Sequence, residues 1–69
     1  MYPNINAERG RLRMTQYELA EHLGVTSNTV GRWLRGVTDV PASKIIKMAE
    51  LFHCTTDYLL GLDDNRTNG

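Results

Sequence analysis

The chain has 69 residues, a formal net charge of zero and a single cysteine. A chain of this length forms one domain at most. A single cysteine excludes an internal disulfide. Because the sequence has no Cys/His cluster at zinc-ligand spacing, no metal or other cofactor is predicted. No apolar run approaches the roughly 18 residues of a membrane span, and the amino-terminal residues lack the apolar stretch of a signal peptide, so a cytoplasmic location is expected.

The net charge of zero conceals a difference between the two halves of the chain. Residues 4–36 hold five arginines and three glutamates, a net charge of +2, whereas residues 37–69 have a net charge of −2. A basic half suits a polyanionic partner such as nucleic acid, but five arginines also make an ordinary solvated face. Charge alone therefore leaves both interpretations open.

The first helix is predicted near the amino terminus of an all-α chain, because the apolar residues recur at spacings of three and four. Asn4 is predicted to cap this helix, which should stop near Arg13. Ile5 and Leu12, seven residues apart, should share its buried face with the aliphatic stem of Arg9.

The second and third helices carry clear end signals. Thr15 and Glu18 have the spacing of a capping box at the start of the second helix, and Gly24 suits the left-handed conformation that ends it. Thr26 is predicted to cap the third helix, which Gly36 ends. The predicted inner faces comprise Leu19, Ala20 and Leu23 on the second helix, and Val30, Trp33 and Leu34 on the third.

The last two helices lie in the second half of the chain. Pro41 is suited to the start of a fourth helix, because its missing N–H has no partner there in any case. Thr55 or Thr56 should cap a short fifth helix that Gly61 ends. The predicted inner face of the fourth helix comprises Ile45, Ala49 and Phe52, with Ile46 or Met48 beside them. Residues 63–69 contain no apolar side chain and are predicted to form a flexible C-terminal tail after a single domain of residues 1–62.

The junction of the second and third helices is the most informative feature. Only Gly24 and Val25 separate the second helix from the cap at Thr26, so the chain turns sharply and the two helices cross closely at the small residue Ala20. One side of both helices is apolar, and the other side is polar. The polar side comprises Gln16, Ser27, Asn28, Thr29 and Arg32. This arrangement is typical of a helix-turn-helix, whose second helix enters the major groove of DNA.

The residue types on the polar side suit DNA. Short side chains at the start of a helix fit into a groove about 12 Å wide. Asn28 can pair with adenine, and Arg32 can pair with guanine one turn later. Ser27 and Thr29 can each reach a base edge or a phosphate. Gln16 lies at a helix N-terminus, where free N–H groups favour phosphate.

The segment MTQYELAEHLGVTSNTVGRWLRG closely resembles the phage-repressor and Cro-like helix-turn-helix family, often called the XRE family. The matching residues are Thr15-Gln16, Leu19-Ala20, Leu23-Gly24-Val25, Val30, Trp33 and Gly36. The segment VPASKIIKMAELFHCTTDYLLG resembles the second half of the same domain.

The resemblance implies a five-helix, lambda-repressor-like domain that binds palindromic operators in double-stranded DNA as a homodimer. Such a protein regulates transcription, here as an expected repressor associated with the nucleoid. By position, the resemblance implies base contacts by Ser27, Asn28 and Arg32. It also implies phosphate contacts by Gln16, Thr29, Arg35, Thr38, Ser43 and Lys44.

Three residues depart from the family pattern. Arg13 stands where relatives commonly have glycine, which implies a left-handed residue strained by about 1 kcal/mol. Leu34 stands where many relatives have an acid that pairs with an arginine of the first helix, so Arg9 needs another partner or is free for phosphate. Asp39 stands where some relatives have a basic residue facing the DNA backbone, and from that place it would repel DNA.

The apolar ending of the chain leaves alternatives open. It carries more large side chains than one small helix can bury, and these either form a dimer interface or pack in the core. They are Tyr58, Leu59, Leu60 and Leu62. With the net charge of zero, the same ending suits an antitoxin or another protein-interaction module whose partner is a toxin. An enzyme is not expected, because there is no nucleophile–base pair, metal set or glycine-rich phosphate loop.

Overall fold

The computed structural model describes residues 2–66. Five α-helices and the turns between them make up this part of the chain, and the predicted all-α fold is confirmed. Among these helices there is none whose length and apolar character would let it cross a membrane. The helices are α1 (Pro3–Arg11), α2 (Gln16–Leu23), α3 (Ser27–Leu34), α4 (Ala42–Phe52) and α5 (Thr56–Leu60).

The helix caps predicted from local sequence are present. At the start of α2 the Thr15 hydroxyl accepts from the Glu18 N–H at 3.1 Å, and the Glu18 carboxylate accepts from the Thr15 N–H at 2.8 Å, which completes a capping box. The bond from the Thr15 N–H holds the pKa of Glu18 below its ordinary value. Thr26 and Thr55 cap α3 and α5 through their hydroxyls, and Gly24 ends α2 with φ +70°.

Helix α1 differs from the prediction at its first residue and at Leu12, although it stops near Arg13 as predicted. It begins at Pro3, because proline is pre-organised for the first helical position, so the prediction that Asn4 caps the helix is wrong. The Asn4 amide instead donates to the Tyr58 carbonyl at 2.6 Å and ties α1 to α5. The helix ends two residues before Arg13, which takes the left-handed conformation with φ +56°. Leu12 lies beyond this end and is 40% exposed, so its predicted place on the buried face is wrong.

The core receives apolar side chains from every helix. Met48, not Ile46, completes the inner face of α4, and Leu59 of α5 is fully buried. Pro41 is the cap residue just before α4 rather than its first residue. The buried apolar residues are Ile5, Leu19, Ala20, Leu23, Val30, Trp33, Val40, Ile45, Met48, Ala49, Phe52 and Leu59. Since α2 and α3 contribute five of the twelve, the helix pair packs directly on the core that it shares with the rest of the domain.

The segment after α5 is attached to the domain at Arg66. The Arg66 carbonyl accepts from the Thr55 N–H at 3.0 Å. Its guanidinium donates to the Glu8 carboxylate at 2.8 Å and to the Phe52 carbonyl at 2.7 Å. The structure therefore differs from the predicted flexible tail at this residue, because a buried carboxylate of α1 holds it. Residues 67–69 of the predicted tail lie outside the described residues.

Candidate nucleic-acid interface

The turn between α2 and α3 sets the direction of α3. Gly24 takes φ +70°, and the Val25 N–H donates to the Ala20 carbonyl at 3.1 Å, so the chain reverses within a few residues. Val25 packs against the core, and Thr26 then begins the next helix as its cap. Short-range geometry thus fixes how α3 emerges from α2, as the spacing of these residues predicts.

Helix α3 has one buried face and one exposed face. Val30 is 1% exposed and Trp33 is 4% exposed, so both face the core as predicted. Asn28 and Arg32 are exposed and four residues apart, which places them one turn apart on the same face. Within residues 2–66 the hydrogen bonds at the start of α3 engage neither of these two side chains. Their donors and acceptors are therefore available to a ligand.

The first turn of α3 and the start of α2 are joined by side-chain hydrogen bonds. The Gln16 amide Nε2 donates to the Ser27 carbonyl at 3.0 Å across the two helices. The Thr29 and Thr26 hydroxyls lie 3.0 Å apart, and the Thr29 N–H donates to the Thr26 hydroxyl at 3.3 Å. Ser27 and Thr29 are half-buried. The structure thus brings the predicted polar residues of α2 and α3 onto one surface.

Two of the five arginines in the basic half are committed to the protein itself. Arg9 donates to the Met14 carbonyl at 2.7 Å and, through Nη2, to the Asn6 side chain at 2.7 Å. Arg9 therefore has partners within the protein, which answers the question raised by Leu34, and its bond to Met14 stabilises the turn that follows α1. Arg11 pairs with Glu8 at 2.9 Å. The positive charge that remains for an external anion comes from Arg13, Arg32 and Arg35, whose side chains make no hydrogen bond within residues 2–66.

Three of the six predicted phosphate contacts, Thr38, Ser43 and Lys44, differ from one another in exposure and bonding. Lys44 is half-buried, and its ammonium donates to the Leu23 carbonyl at 2.8 Å, which caps the C-terminus of α2. Since an eight-residue helix is about 12 Å long, this ammonium lies far from Gln16 at the other end of α2. Thr38 and Ser43 are exposed. The capping role of Lys44 has no signal in local sequence, because it joins residues 21 positions apart.

The apolar ending divides into buried and exposed side chains. Leu59 is 0% exposed in the core, so its predicted place in a dimer interface is wrong. The reason is that α5 has only five residues, too few for apolar spacing to identify its inner face. Leu60 is 40% exposed and Leu62 is 76% exposed. Leu60 borders a groove of about 300 Å³, whose lining residues are Val40, Ala42, Ile45, Ile46, Thr56 and Leu60.

A buried carboxylate lies between α1 and α5. Glu8 is 3% exposed, and its oxygens accept from Arg66, Arg11 and the Tyr58 hydroxyl. The hydrogen bond from Arg66, aided by Arg11, holds the pKa of Glu8 below its ordinary value against the effect of burial. Burial likewise raises the pKa of the Cys54 thiol, which favours the unreactive protonated form. The one carboxylate is paired with two guanidinium groups, and these bonds make the cluster a structural element.

Comparison with known proteins adds independent evidence for the helix pair. A helix-turn-helix family model matches residues 5–59. Repressor protein C2 of Salmonella phage P22 is 29% identical over 68 residues, which are 99% of this chain and 32% of that protein. The HTH-type transcriptional regulator ImmR of Bacillus subtilis is 34% identical over 56 residues, which are 81% of this chain and 44% of that protein. The chain thus spans less than half of the length of either relative.

A solved structure supports the same assignment. A crystal structure of the P22 c2 repressor in complex with a synthetic operator aligns with a TM-score of 0.78 and 28% identity, and the alignment covers 87% of this chain and 91% of that one. The residues matched by the family model, 5–59, run from α1 into α5. The chain therefore belongs to the phage-repressor-like, or XRE-type, helix-turn-helix family.

Proposed function

We propose that this chain is the sequence-specific DNA-binding domain of a transcriptional regulator, expected to act as a repressor, and that α3 enters the major groove. The observation that carries the proposal is the pair Asn28 and Arg32, exposed on one face of a helix whose opposite face is buried. The P22 repressor, whose fold matches, is an operator-bound protein in its crystal structure. Binding of this kind would hold the protein at the nucleoid.

The individual contacts follow from chemistry. Asn28 would bond adenine and Arg32 guanine, each through a pair of hydrogen bonds, with Ser27 at the adjoining base edge. Gln16, Thr29 and Arg35 would bind phosphate, helped by the positive ends of α2 and α3. Further phosphate contacts are expected from Thr38, Ser43 and Lys44; of these the exposed hydroxyls of Thr38 and Ser43 are better placed than the committed ammonium of Lys44.

A homodimer would place two α3 helices about 34 Å apart on one face of the duplex. Leu60 and Leu62 support this part of the proposal, because they are exposed apolar residues at and just after the end of α5. Tyr58 is less suited to the interface, because its hydroxyl already donates to Glu8. A symmetric dimer then requires a palindromic operator, because each half-site meets the same protein surface.

The decisive experiment is selection of binding sites from random duplex DNA with the wild-type chain, repeated with Arg32→Ala. We expect a palindromic consensus that loosens at one base pair per half-site in the variant, with about 1–3 kcal/mol lost per base contact. Lys47→Ala is the matched control, because it removes an equal charge from an exposed position on α4. Failure to enrich any sequence at low salt would refute the proposal.

A second candidate function is supported by the groove beside Leu60. An apolar groove bordered by exposed Leu60 and Ile46 also suits a protein partner, such as the toxin of an antitoxin. Co-purification of a stoichiometric protein from the native host, together with DNA binding that requires this protein, would favour the second function over the first.

A further inference from the structure

Gly31 occupies a position in α3 where the backbone does not require glycine. Its φ is not positive, and glycine inside a helix is less favourable than alanine. The space next to it is filled by other side chains. A Cβ atom built on Gly31 would lie 2.9 Å from Gln16 Nε2 and 3.2 Å from Arg35 Nη1. The missing side chain is therefore what admits the ends of Gln16 and Arg35 to one notch on α3.

We propose that Gly31 is a positioning residue, whose lack of a side chain lets Gln16 and Arg35 converge as one phosphate-binding unit across α2 and α3. This inference rests on the proposed DNA-binding function. One N–H of the Gln16 amide is held by the Ser27 carbonyl at 3.0 Å, which leaves the second for an anion. Arg35 is exposed and supplies charge and further donors beside it.

The notch explains why two residues from different helices act together. Gln16 is the first residue of α2 and Arg35 directly follows α3, yet both reach the same point beside Gly31. Two donors near one point can bind two oxygens of a single phosphate, and the guanidinium provides the charge that the neutral amide lacks. Binding of this phosphate would fix α3 in the groove without reading any base.

The geometry also predicts that a methyl group at this position is tolerated by the fold. The atoms that it would approach are the far ends of flexible side chains, which can move outward. Alanine is also the better helix former. Gly31→Ala should therefore leave the thermal midpoint close to that of wild type, because the gain in helix propensity offsets the bond to the Ser27 carbonyl that is lost when Gln16 leaves the notch together with Arg35. Loss of DNA affinity without loss of stability separates positioning from a merely structural role.

The test uses the duplex enriched by the wild-type chain in the site selection. The dissociation constant of Gly31→Ala is measured on this duplex and on a scrambled one, at several salt concentrations, together with the thermal midpoint. We expect affinity for both duplexes to fall about tenfold. The slope of log affinity against log salt should fall in magnitude by about one, because a phosphate contact is lost. The consensus sequence should not change.

Gly10→Ala is the matched control. Gly10 lies in α1, and a Cβ there would meet nothing within 4 Å. This control should raise the thermal midpoint through helix propensity and leave DNA affinity unchanged. A further comparison introduces Gly31→Ala into a chain that already carries Gln16→Ala and Arg35→Ala. The notch is empty in this background, so the fold accepts the methyl group and no additional loss of affinity is expected.

Three results would overturn the inference. The first is wild-type affinity in Gly31→Ala. The second is an equal further loss in the chain without Gln16 and Arg35, which would assign the effect to the methyl group itself. The third is a lower thermal midpoint, which would show that the two side chains cannot move away. These three results are meaningful only if the wild-type chain binds its selected duplex. If the wild-type chain binds no duplex, the proposed DNA-binding function fails, and this failure is recognised before Gly31→Ala is measured.

Discussion

Replacement of Glu8 by glutamine should destabilise the domain substantially, although it changes only one side-chain oxygen to an NH₂ group. Glu8 is 3% exposed and accepts from two guanidinium groups, Arg66 at 2.8 Å and Arg11 at 3.0 Å. Both guanidiniums donate to Oε1, so a glutamine with its oxygen there keeps these bonds without the charge, but its NH₂ group then faces the Arg66 Nε–H and the Tyr58 hydroxyl, which donate to Oε2 in the wild type. Since both arginines are buried only in part, each charged hydrogen bond is assigned the low value of about 1.5 kcal/mol.

The expected loss is about 2 kcal/mol at neutral pH, because the bonds at Oε1 become neutral-acceptor bonds and the Arg66 Nε–H loses its acceptor at Oε2. For a domain of this size that corresponds to a fall of about 8–16 °C in thermal midpoint. The measurement is thermal unfolding followed by circular dichroism at low protein concentration. Glu21→Gln is the control, because it removes the same charge from an exposed site of α2. Arg66→Met should couple strongly with Glu8→Gln in a double-mutant cycle.

The pH dependence provides a further test of the same reasoning. The pKa of Glu8 is lowered in the folded state from its ordinary value of 4.5, first through the hydrogen bond from Arg66. Its stabilising effect is therefore complete above pH 4.5 and is lost as the pH falls through the lower folded-state pKa. The difference in stability between wild type and Glu8→Gln should shrink below pH 4.5. A constant difference from pH 7 to pH 3, or a midpoint within 2 °C (about 0.5 kcal/mol) of wild type, would refute the argument.

Three other substitutions test the strained turn and the apolar ending. Arg13→Gly should raise the free energy of unfolding by about 0.5–1 kcal/mol, because relief of the left-handed strain exceeds the entropy cost of glycine; a lower thermal midpoint would contradict this. Leu59→Ala should cost about 2–5 kcal/mol as a core cavity, measured by chemical denaturation. Leu62→Ala should change monomer stability by less than about 0.5 kcal/mol but weaken self-association in sedimentation equilibrium. A stable Leu59→Ala together with a destabilised Leu62→Ala would show that the two leucines are wrongly assigned.

Features encoded by neighbouring residues could be predicted from the sequence. The capping box at Thr15, the left-handed Gly24 and the cap at Thr26 each depend on a few adjacent positions, and together they define the helix-turn-helix. The strain at Arg13 could be inferred because the family usually has glycine there. The surface formed by α2 and α3 follows from these local rules, which is why its residues could be named before the fold was known.

Features that depend on distant contacts could not be predicted in the same way. Arg66 lies 58 positions from Glu8, and nothing in its own segment indicates that it is held. A signal did exist at Glu8, since it falls three residues after Ile5 on the buried face of α1, where a carboxylate requires partners. Gly31 also carried a signal, because an isolated glycine within a helix implies a close approach by another group.

The contact between Glu8 and Arg66 has a consequence for the order in which the domain folds. Most helix contacts here join segments that are close along the chain and form early, whereas this pair must close a loop of 58 residues. We therefore expect its closure to follow the main barrier, once the packing of α1 on α5 has brought the two residues close together. Substitutions at either residue should leave the folding rate almost unchanged and act by accelerating unfolding. We therefore expect the pair to determine the lifetime of the native state more than the rate at which that state forms.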